Sequence, residues 1–235
     1  MKARLLIIFL LFLCLSAWGC GIIHDDDDDD ETSATTETGD GVGIGAAPCV
    51  YLYPEEAGEV SVILLPTEDA WLTSTDPEYG EGWTVWAEPD SLIDGTYDYL
   101  YYSCEVAMKF QMDEGWAVEA EEIFSWFEET LPRCGLSQAE TEDFVDYWSE
   151  HLPYSPWYLV YPQYNDLVAG QIDIAIDPEP DSMLRLWLVI EKVEQPELLT
   201  APEFVPFERS GFTVVEWGVV FRVETEGEET GSVTT

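Results

Sequence analysis

The alternation of apolar and polar positions predicts two groups of β-strands with a helical region between them. Short apolar and aromatic runs that are bounded by proline or turn residues are typical of strands. Before the helical region, these runs cover residues 50–53, 60–65, 83–87 and 97–106. After it, they cover residues 157–161, 171–176, 184–193 and 212–223, and the last run is open to division at Gly218.

Between the two groups of strands the apolar spacing becomes helical. Apolar residues recur three and four positions apart from Glu119 to Leu131 and again from Phe144 to Leu152. Ser137 followed by Glu140 forms a capping box that begins the second helix. The order of elements predicts an α+β domain that is mainly antiparallel β, sandwich-like or barrel-like, with an αα-hairpin inserted at about 119–152.

The first twenty residues have the pattern of an export signal. A basic start is followed by the apolar run Leu5–Leu15. This run is shorter than the roughly 20 residues that a membrane-spanning helix needs. We therefore predict a signal peptide over residues 1–19.

The segment that ends this signal, Ala17-Trp18-Gly19-Cys20, resembles the bacterial lipoprotein signal. That resemblance implies that Cys20 is diacylated, becomes the mature N-terminus and anchors the chain to the membrane of a bacterial envelope. Gly21 after the cysteine, where an aspartate would favour the inner membrane, makes the outer membrane the preferred location. The alternative is an ordinary signal peptide that is cut after Gly19.

Charge separates the remaining chain into three parts. Residues 20–46 form an acidic linker that contains glycine and includes six consecutive aspartates, and such a composition does not fold by itself. Residues 47–223 form a single domain, and residues 224–235 form an acidic tail that we expect to be disordered.

The predicted domain is strongly acidic. The chain has 49 acidic and 8 basic residues. Nine of the acids lie in the linker and four in the tail, and two of the bases lie in the signal, so the domain keeps 36 acids and six bases, a net charge of −30. This charge excludes a nucleic-acid partner, which needs a basic face. It is compatible with divalent cations, basic partners or a saline habitat, and it raises the hypothesis that folding depends on salt or Ca²⁺.

Motifs for cofactors and common catalytic sites are missing from the sequence. It has no HExxH, no CxxC pair, no nucleophile elbow and no P-loop, so we predict no cofactor and no metal site. His151 is the only histidine of the domain and is a weak catalytic candidate, since the end of a helix favours a histidine without any catalysis. Cys49, Cys104 and Cys134 have the pattern of small buried residues; if a disulfide forms, we expect it between Cys49 and Cys104.

Two glutamates in aromatic strands are the remaining catalytic candidates. Glu216 and Glu105 could act as an acid/base pair in a glycosidase-like hydrolase, provided that they lie about 5–10 Å apart. The alternative is that Glu216 pairs with one of the scarce arginines, namely Arg185, Arg209 or Arg222.

Tryptophans provide a possible binding surface. Trp71, Trp83, Trp86, Trp157 and Trp217 could bind a carbohydrate, peptide or protein ligand, although their strand spacing is also typical of core positions.

Three segments of the domain resemble a family of uncharacterised, mostly bacterial proteins, over about residues 47–218. The central one is Cys134-Gly135-Leu136-Ser137 followed by Glu140, Asp143-Phe144 and Tyr147-Trp148, which is similar to that family's helical signature. The opening Pro48-Cys49-Val50-Tyr51-Leu52-Tyr53-Pro54 is similar to that family's KPVIYLYP motif. The closing segment Gly211-Phe212-Thr213-Val214-Val215-Glu216-Trp217-Gly218 is similar to its GFTVVEWG motif. The resemblance implies one domain across the whole region and assigns no activity.

These observations leave two functional hypotheses. The first is a membrane-anchored envelope lipoprotein whose domain binds an unidentified ligand or acts as a scaffold. The second is an exported hydrolase that uses Glu216 and Glu105.

Overall fold

The computed structural model describes residues 44–107 and 109–222 as an α+β fold of eleven strands and three helices. The strands are β1 Ile44–Ala46, β2 Cys49–Tyr53, β3 Gly58–Pro66, β4 Trp71–Asp76, β5 Trp83–Ala87, β6 Leu100–Val106, β7 Trp116–Glu119, β8 Trp157–Tyr164, β9 Ile172–Asp177, β10 Ser182–Val193 and β11 Thr213–Arg222. The helices are α1 Ile123–Thr130, α2 Gln138–His151 and the short α3 Asp166–Ala169.

Eight strands form a large mixed sheet. β1 and β2 both pair with β6 and β11, so they are two halves of one strand that is interrupted at Ala47 and Pro48. The order across the sheet is β4, β6, β1 with β2, β11, β10, β8 and β7. All neighbours are antiparallel except β10 and β11, which run parallel. Parallel neighbours need a crossover connection, and residues 194–212 supply it without a helix.

The three remaining strands form a small sheet in the order β5, β3 and β9. Its inward side chains, among them Val60, Val62 and Trp83, join the same buried cluster as Leu52 and Trp187 of the large sheet. The two sheets therefore form a sandwich around one hydrophobic core, and the described residues form no closed barrel.

The two longer helices cover the opposite face of the large sheet. Phe144 of α2 packs edge-on against Trp217 of β11, with ring centroids 5.1 Å apart, and against Phe127 of α1 at 4.9 Å. A single 3₁₀ turn, Leu131–Cys134, joins the helices, and Gly135 follows it with a φ of 109°. The αα-hairpin and the capping box at Ser137 and Glu140 are thus confirmed.

Several predicted boundaries were wrong for identifiable reasons. β1 lies within the segment that was assigned to the linker. β7 was missed because its four residues precede the helical pattern, and the edge strand β4 was missed because Thr73 and Ser74 are both exposed. β11 is continuous through Gly218, so the predicted division is wrong. The glycine lets the strand pack closely on the Trp187 ring, which a Cβ at this position would approach to 3.0 Å.

The predicted signal peptide, Cys20, most of the linker and the acidic tail lie outside the described residues. Within the described ranges, no helix combines the length and the apolar character that crossing a membrane requires.

Buried phenols and thiols predict that the domain loses stability at alkaline pH. Burial raises the pKa of Tyr51, Tyr102 and Cys49 well above their ordinary values of 10.0 and 9.0. These groups stay protonated in the folded state and ionise near their ordinary pKa values when the chain unfolds. Their contribution to stability is complete below about pH 9 and is lost as the pH rises from there towards the folded-state values.

The measurement is urea unfolding between about pH 7 and 11. Above the ordinary pKa of each such group we expect the free energy of unfolding to fall by about 1.4 kcal/mol per pH unit for that group, with no change from these groups below about pH 9. A constant free energy of unfolding across that range would contradict the buried, protonated state of these side chains.

Candidate functional site

Glu216 is fully buried between the two sheets, where three side chains bind its carboxylate. Arg185 lies directly opposite on β10, and its Nε donates to Glu216 Oε2 at 2.6 Å while its Nη2 donates to Oε1 at 3.3 Å. The Tyr102 hydroxyl and Trp187 Nε1 donate to Oε1 at 2.8 and 2.7 Å. Four hydrogen bonds thus bind the carboxylate, three at Oε1 and one at Oε2, and Glu216 has no solvent-exposed surface.

The guanidinium of Arg185 is almost as buried as its partner. Burial lowers its pKa, but the charge of Glu216 and contact with Tyr102 outweigh burial, and the net pKa is raised. Its Nη1 makes no hydrogen bond, and Asp173 Oδ1 lies 4.0 Å away. The prediction that Glu216 pairs with an arginine is therefore confirmed, with Arg185 as the partner.

Glu105 does not share a cleft with Glu216. Alternate residues of β6 point to opposite faces, and Tyr102 and Cys104 of this strand point into the sandwich core. Glu105 therefore faces the other side of the sheet, where it lies opposite Trp71 of the edge strand β4. The arrangement that a glycosidase-like pair requires is absent, because the sheet itself separates the two carboxylates.

A second fully buried carboxylate, Glu140, was predicted only as a helix cap. Besides capping Ser137, it accepts hydrogen bonds from Arg209 Nη1 at 3.0 Å, from Arg209 Nη2 at 2.5 Å and from the Tyr53 hydroxyl at 2.7 Å. Arg209 also donates to the carbonyl of Gly135 at 3.2 Å. This cluster binds the end of the crossover, residues 194–212, to the start of α2.

The crossover is held at a second point by stacked rings. Phe204 stacks on Trp116 of β7 with centroids 5.8 Å apart, and the guanidinium of Arg133 lies 3.8 Å above the Phe204 ring. Basic residues are scarce in this domain, and three of them make contacts that hold the fold together. These are Arg133, Arg185 and Arg209.

The prediction that the cysteines are small buried residues is confirmed, and the conditional disulfide between Cys49 and Cys104 is not formed. Both thiols are free and buried. Cys104 points into the sandwich core, whereas Cys49, like Tyr51, points towards the helices, so the sheet separates the two sulfurs. Cys134 is also free and buried, and burial raises the pKa of all three thiols.

His151 lies at the last position of α2, as predicted. Its Nδ1 donates to the carbonyl of Tyr147 at 2.6 Å, and its ring stacks on the Tyr147 ring with centroids 4.1 Å apart. Both contacts are made within α2, one by Nδ1 and one by the ring face. Neither provides His151 with a catalytic partner.

The five candidate tryptophans do not form one surface. Trp83 and Trp217 are buried, and Trp157 is half-buried. Trp71 and Trp86 are 51 % and 52 % exposed, but Trp71 belongs to the large sheet and Trp86 to the small one.

One shallow cavity, of about 280 Å³, lies where the start of α1 meets the end of α2. Its lining is Ala120, Glu121, Ile123, Phe124, Ser149, Leu152, Tyr154 and Tyr158. The lining holds a single carboxylate and no base to act with it. Across the described ranges, no group of three or more histidine, cysteine or acidic residues is arranged to hold a metal ion.

Comparisons with protein-family models, curated proteins and solved structures found no match. The resemblance to the uncharacterised bacterial family therefore stays a prediction. Function has to be argued from the geometry of this chain.

Proposed function

We propose that this protein is a membrane-anchored lipoprotein of a bacterial envelope, and that its folded domain has a non-enzymatic binding or scaffolding role. The observation that carries the second part is the saturation of Glu216 by Arg185, Tyr102 and Trp187. A general acid has to reach the proton that it transfers, and this carboxylate is closed off from solvent.

The other buried carboxylate supports the same view. Glu140 is bound by Arg209, Tyr53 and the backbone of Ser137, all of which position α2 and the crossover. Buried charges that are matched in this way hold elements of a fold together. Neither carboxylate is available for substrate chemistry, so binding by the domain surface is the favoured role.

The anchor rests on the start of the sequence. A basic start, an eleven-residue apolar run and Cys20 are in the order that an export signal followed by lipidation requires. Each buried methylene of an acyl chain would contribute about 0.8 kcal/mol to membrane binding.

The two ends of the domain support an anchored arrangement. Ala46 of β1 pairs antiparallel with Val220 of β11, so the chain enters and leaves the domain at the same end of the sheet. The nine acids of the linker and the four of the tail both continue from that end. Their charge would be repelled by anionic lipid and would hold the domain away from the membrane.

Lipidation of Cys20 is tested by metabolic labelling with a palmitate analogue in a bacterial host. The wild-type chain should be labelled, and the variant Cys20→Ala should lose the label, because the thioether cannot form. Cys14→Ala is the matched control, since it removes the other cysteine of the signal and should keep the label. Equal labelling of Cys20→Ala and wild type would overturn the anchor.

A further inference from the structure

The outer face of the small sheet carries large apolar side chains that are about half exposed among the described residues. Its inner face is part of the sandwich core, whereas Trp86, Leu65 and Ile63 on the outer face are 52 %, 47 % and 43 % exposed. In the described part of the chain, these are the exposed large apolar residues of β3 and β5. They lie on a rigid three-stranded scaffold and not on loops.

Acidic side chains lie beside this apolar surface in register. Glu59 is directly opposite Trp86, and Asp173 is directly opposite Leu65. Between them, Ser61 of β3 lies opposite Asp177 of β9. Ile63 is four residues beyond Glu59, which is roughly 13 Å along a strand. The face therefore presents two apolar spots separated and flanked by carboxylates.

No base of these strands neutralises the face. β3, β5 and β9 contain no lysine, arginine or histidine, and neither does any position from 44 to 108, a stretch with thirteen acids. Asp173 lies 4.0 Å from the buried Arg185, while Glu59 and Asp177 take part in no ion pair among the described residues. Negative charge without local compensation favours a cationic partner.

The backbone at the free edge of β5 is already paired at Trp86. Asp94 accepts a hydrogen bond from the amide of Trp86 through Oδ1 at 2.8 Å, and its own amide donates to the Trp86 carbonyl at 2.9 Å. Addition of a strand is therefore blocked at Trp86, while the side chains of the outer face stay accessible.

We propose that the outer face of the small sheet docks an extended, basic segment of a partner protein, with its lysines or arginines on Glu59 and Asp177 and its apolar side chains on Ile63 and Leu65. The proposal rests on the binding role proposed above and names the class of partner. An extended segment of four or five residues spans the distance between the two apolar spots. A cation above the Trp86 ring would add a cation–π contact.

Charge disfavours the other occupants. A second copy of this domain, at −30, would place one acidic face against another. The same repulsion applies to anionic lipid and to the acidic linker and tail of this chain. A neutral carbohydrate stacked on Trp86 is the one alternative that the charge does not disfavour. Its binding would not depend on salt, whereas binding of a basic segment would weaken as salt is raised.

The test uses the full mature chain in a neutral detergent and two fluorescent peptides of about twelve residues, with binding followed by fluorescence anisotropy. One peptide contains Lys-Thr-Lys-Thr-Val-Thr-Val, which in an extended chain puts two lysines and then two valines on one face, in the order of Glu59, Ser61 beside Asp177, Ile63 and Leu65. The second peptide has glutamate in place of both lysines. We expect binding of the lysine peptide only, with an affinity that falls as salt is raised from about 50 to 300 mM.

Variants locate the contact. Trp86→Ala should weaken binding of the lysine peptide by about tenfold or more, and Glu59→Gln should weaken it and reduce its salt dependence. Trp71→Ala is the matched control, because this tryptophan is equally exposed on the other sheet, and it should leave the affinity within about twofold. Thermal melting of each variant checks that the fold is retained.

The proposal is overturned if the two peptides bind equally, or if Trp86→Ala and Trp71→Ala have the same effect. It is also overturned if a neutral oligosaccharide binds with an affinity that does not depend on salt, and if Trp86→Ala abolishes that binding. Palmitate labelling is scored separately. Loss of labelling with intact peptide binding would remove the anchor alone, and the reverse result would remove the docking surface alone.

Discussion

Replacing Arg185 by methionine should lower the free energy of unfolding by about 3–5 kcal/mol, because the variant leaves the charge of Glu216 buried without its counter-ion. Tyr102 and Trp187 would still donate to the carboxylate, but neutral donors do not replace the guanidinium. Urea unfolding at pH 7 measures the effect as a shift in the transition midpoint.

The matched control breaks an exposed ion pair. Lys109 contacts Asp69 at 2.7 Å with both side chains largely in solvent, so Lys109→Met should cost less than about 1 kcal/mol. The double variant Arg185→Met, Glu216→Gln should recover part of the lost stability, since it removes both charges from the core and keeps an amide oxygen as acceptor for Tyr102 and Trp187. If Arg185→Met costs no more than Lys109→Met, Glu216 is not held as a buried ion and could be available for chemistry.

Replacing Arg209 by methionine should lower the free energy of unfolding by about 2–3 kcal/mol. Glu140 would lose its counter-ion in a fully buried position, but Arg209 is 30 % exposed, so water partly compensates for the loss. The change should also loosen the crossover, because Arg209 binds its end to the start of α2.

Limited proteolysis and hydrogen exchange provide the readout for that second effect. Cleavage within residues 194–212 and exchange of the first amides of α2 should both become faster in Arg209→Met. Arg133→Met is the control in the same region: it removes the cation above Phe204, which contributes about 0.5–1 kcal/mol, and leaves Glu140 paired. Equal cleavage rates in the two variants would show that the Glu140 pair does not hold the crossover.

The strands that could be predicted from the sequence are those with a clear pattern. β5 alternates between buried and exposed residues along its whole length, and in β10 only Arg185 interrupts the apolar run from Leu184 to Ile190. The parallel pairing of β10 with β11 could not be predicted, because the connection between them contains no helix to indicate a crossover. The apolar run of β3 indicates a strand. It does not indicate that Ile63 and Leu65 remain exposed on the outer face.

The two buried carboxylates differ in how far the sequence reveals them. Glu216 lies within an apolar strand, and the scarcity of arginines already indicates that one of them pairs with it. Glu140 lies in a polar helical turn, where helix capping is enough to account for a glutamate. Its partner Arg209 is 69 residues away in the sequence. Nothing in the local pattern relates the two, since only the path of the crossover brings them together.

Intact mass spectrometry of the mature protein decides whether Cys20 becomes a lipidated N-terminus. We expect a chain that begins at Cys20, with a mass increased by a diacylglyceryl group and by any acyl chain on the amine. A mature chain that carries an unmodified Cys20, or one that still begins at Met1, would contradict it.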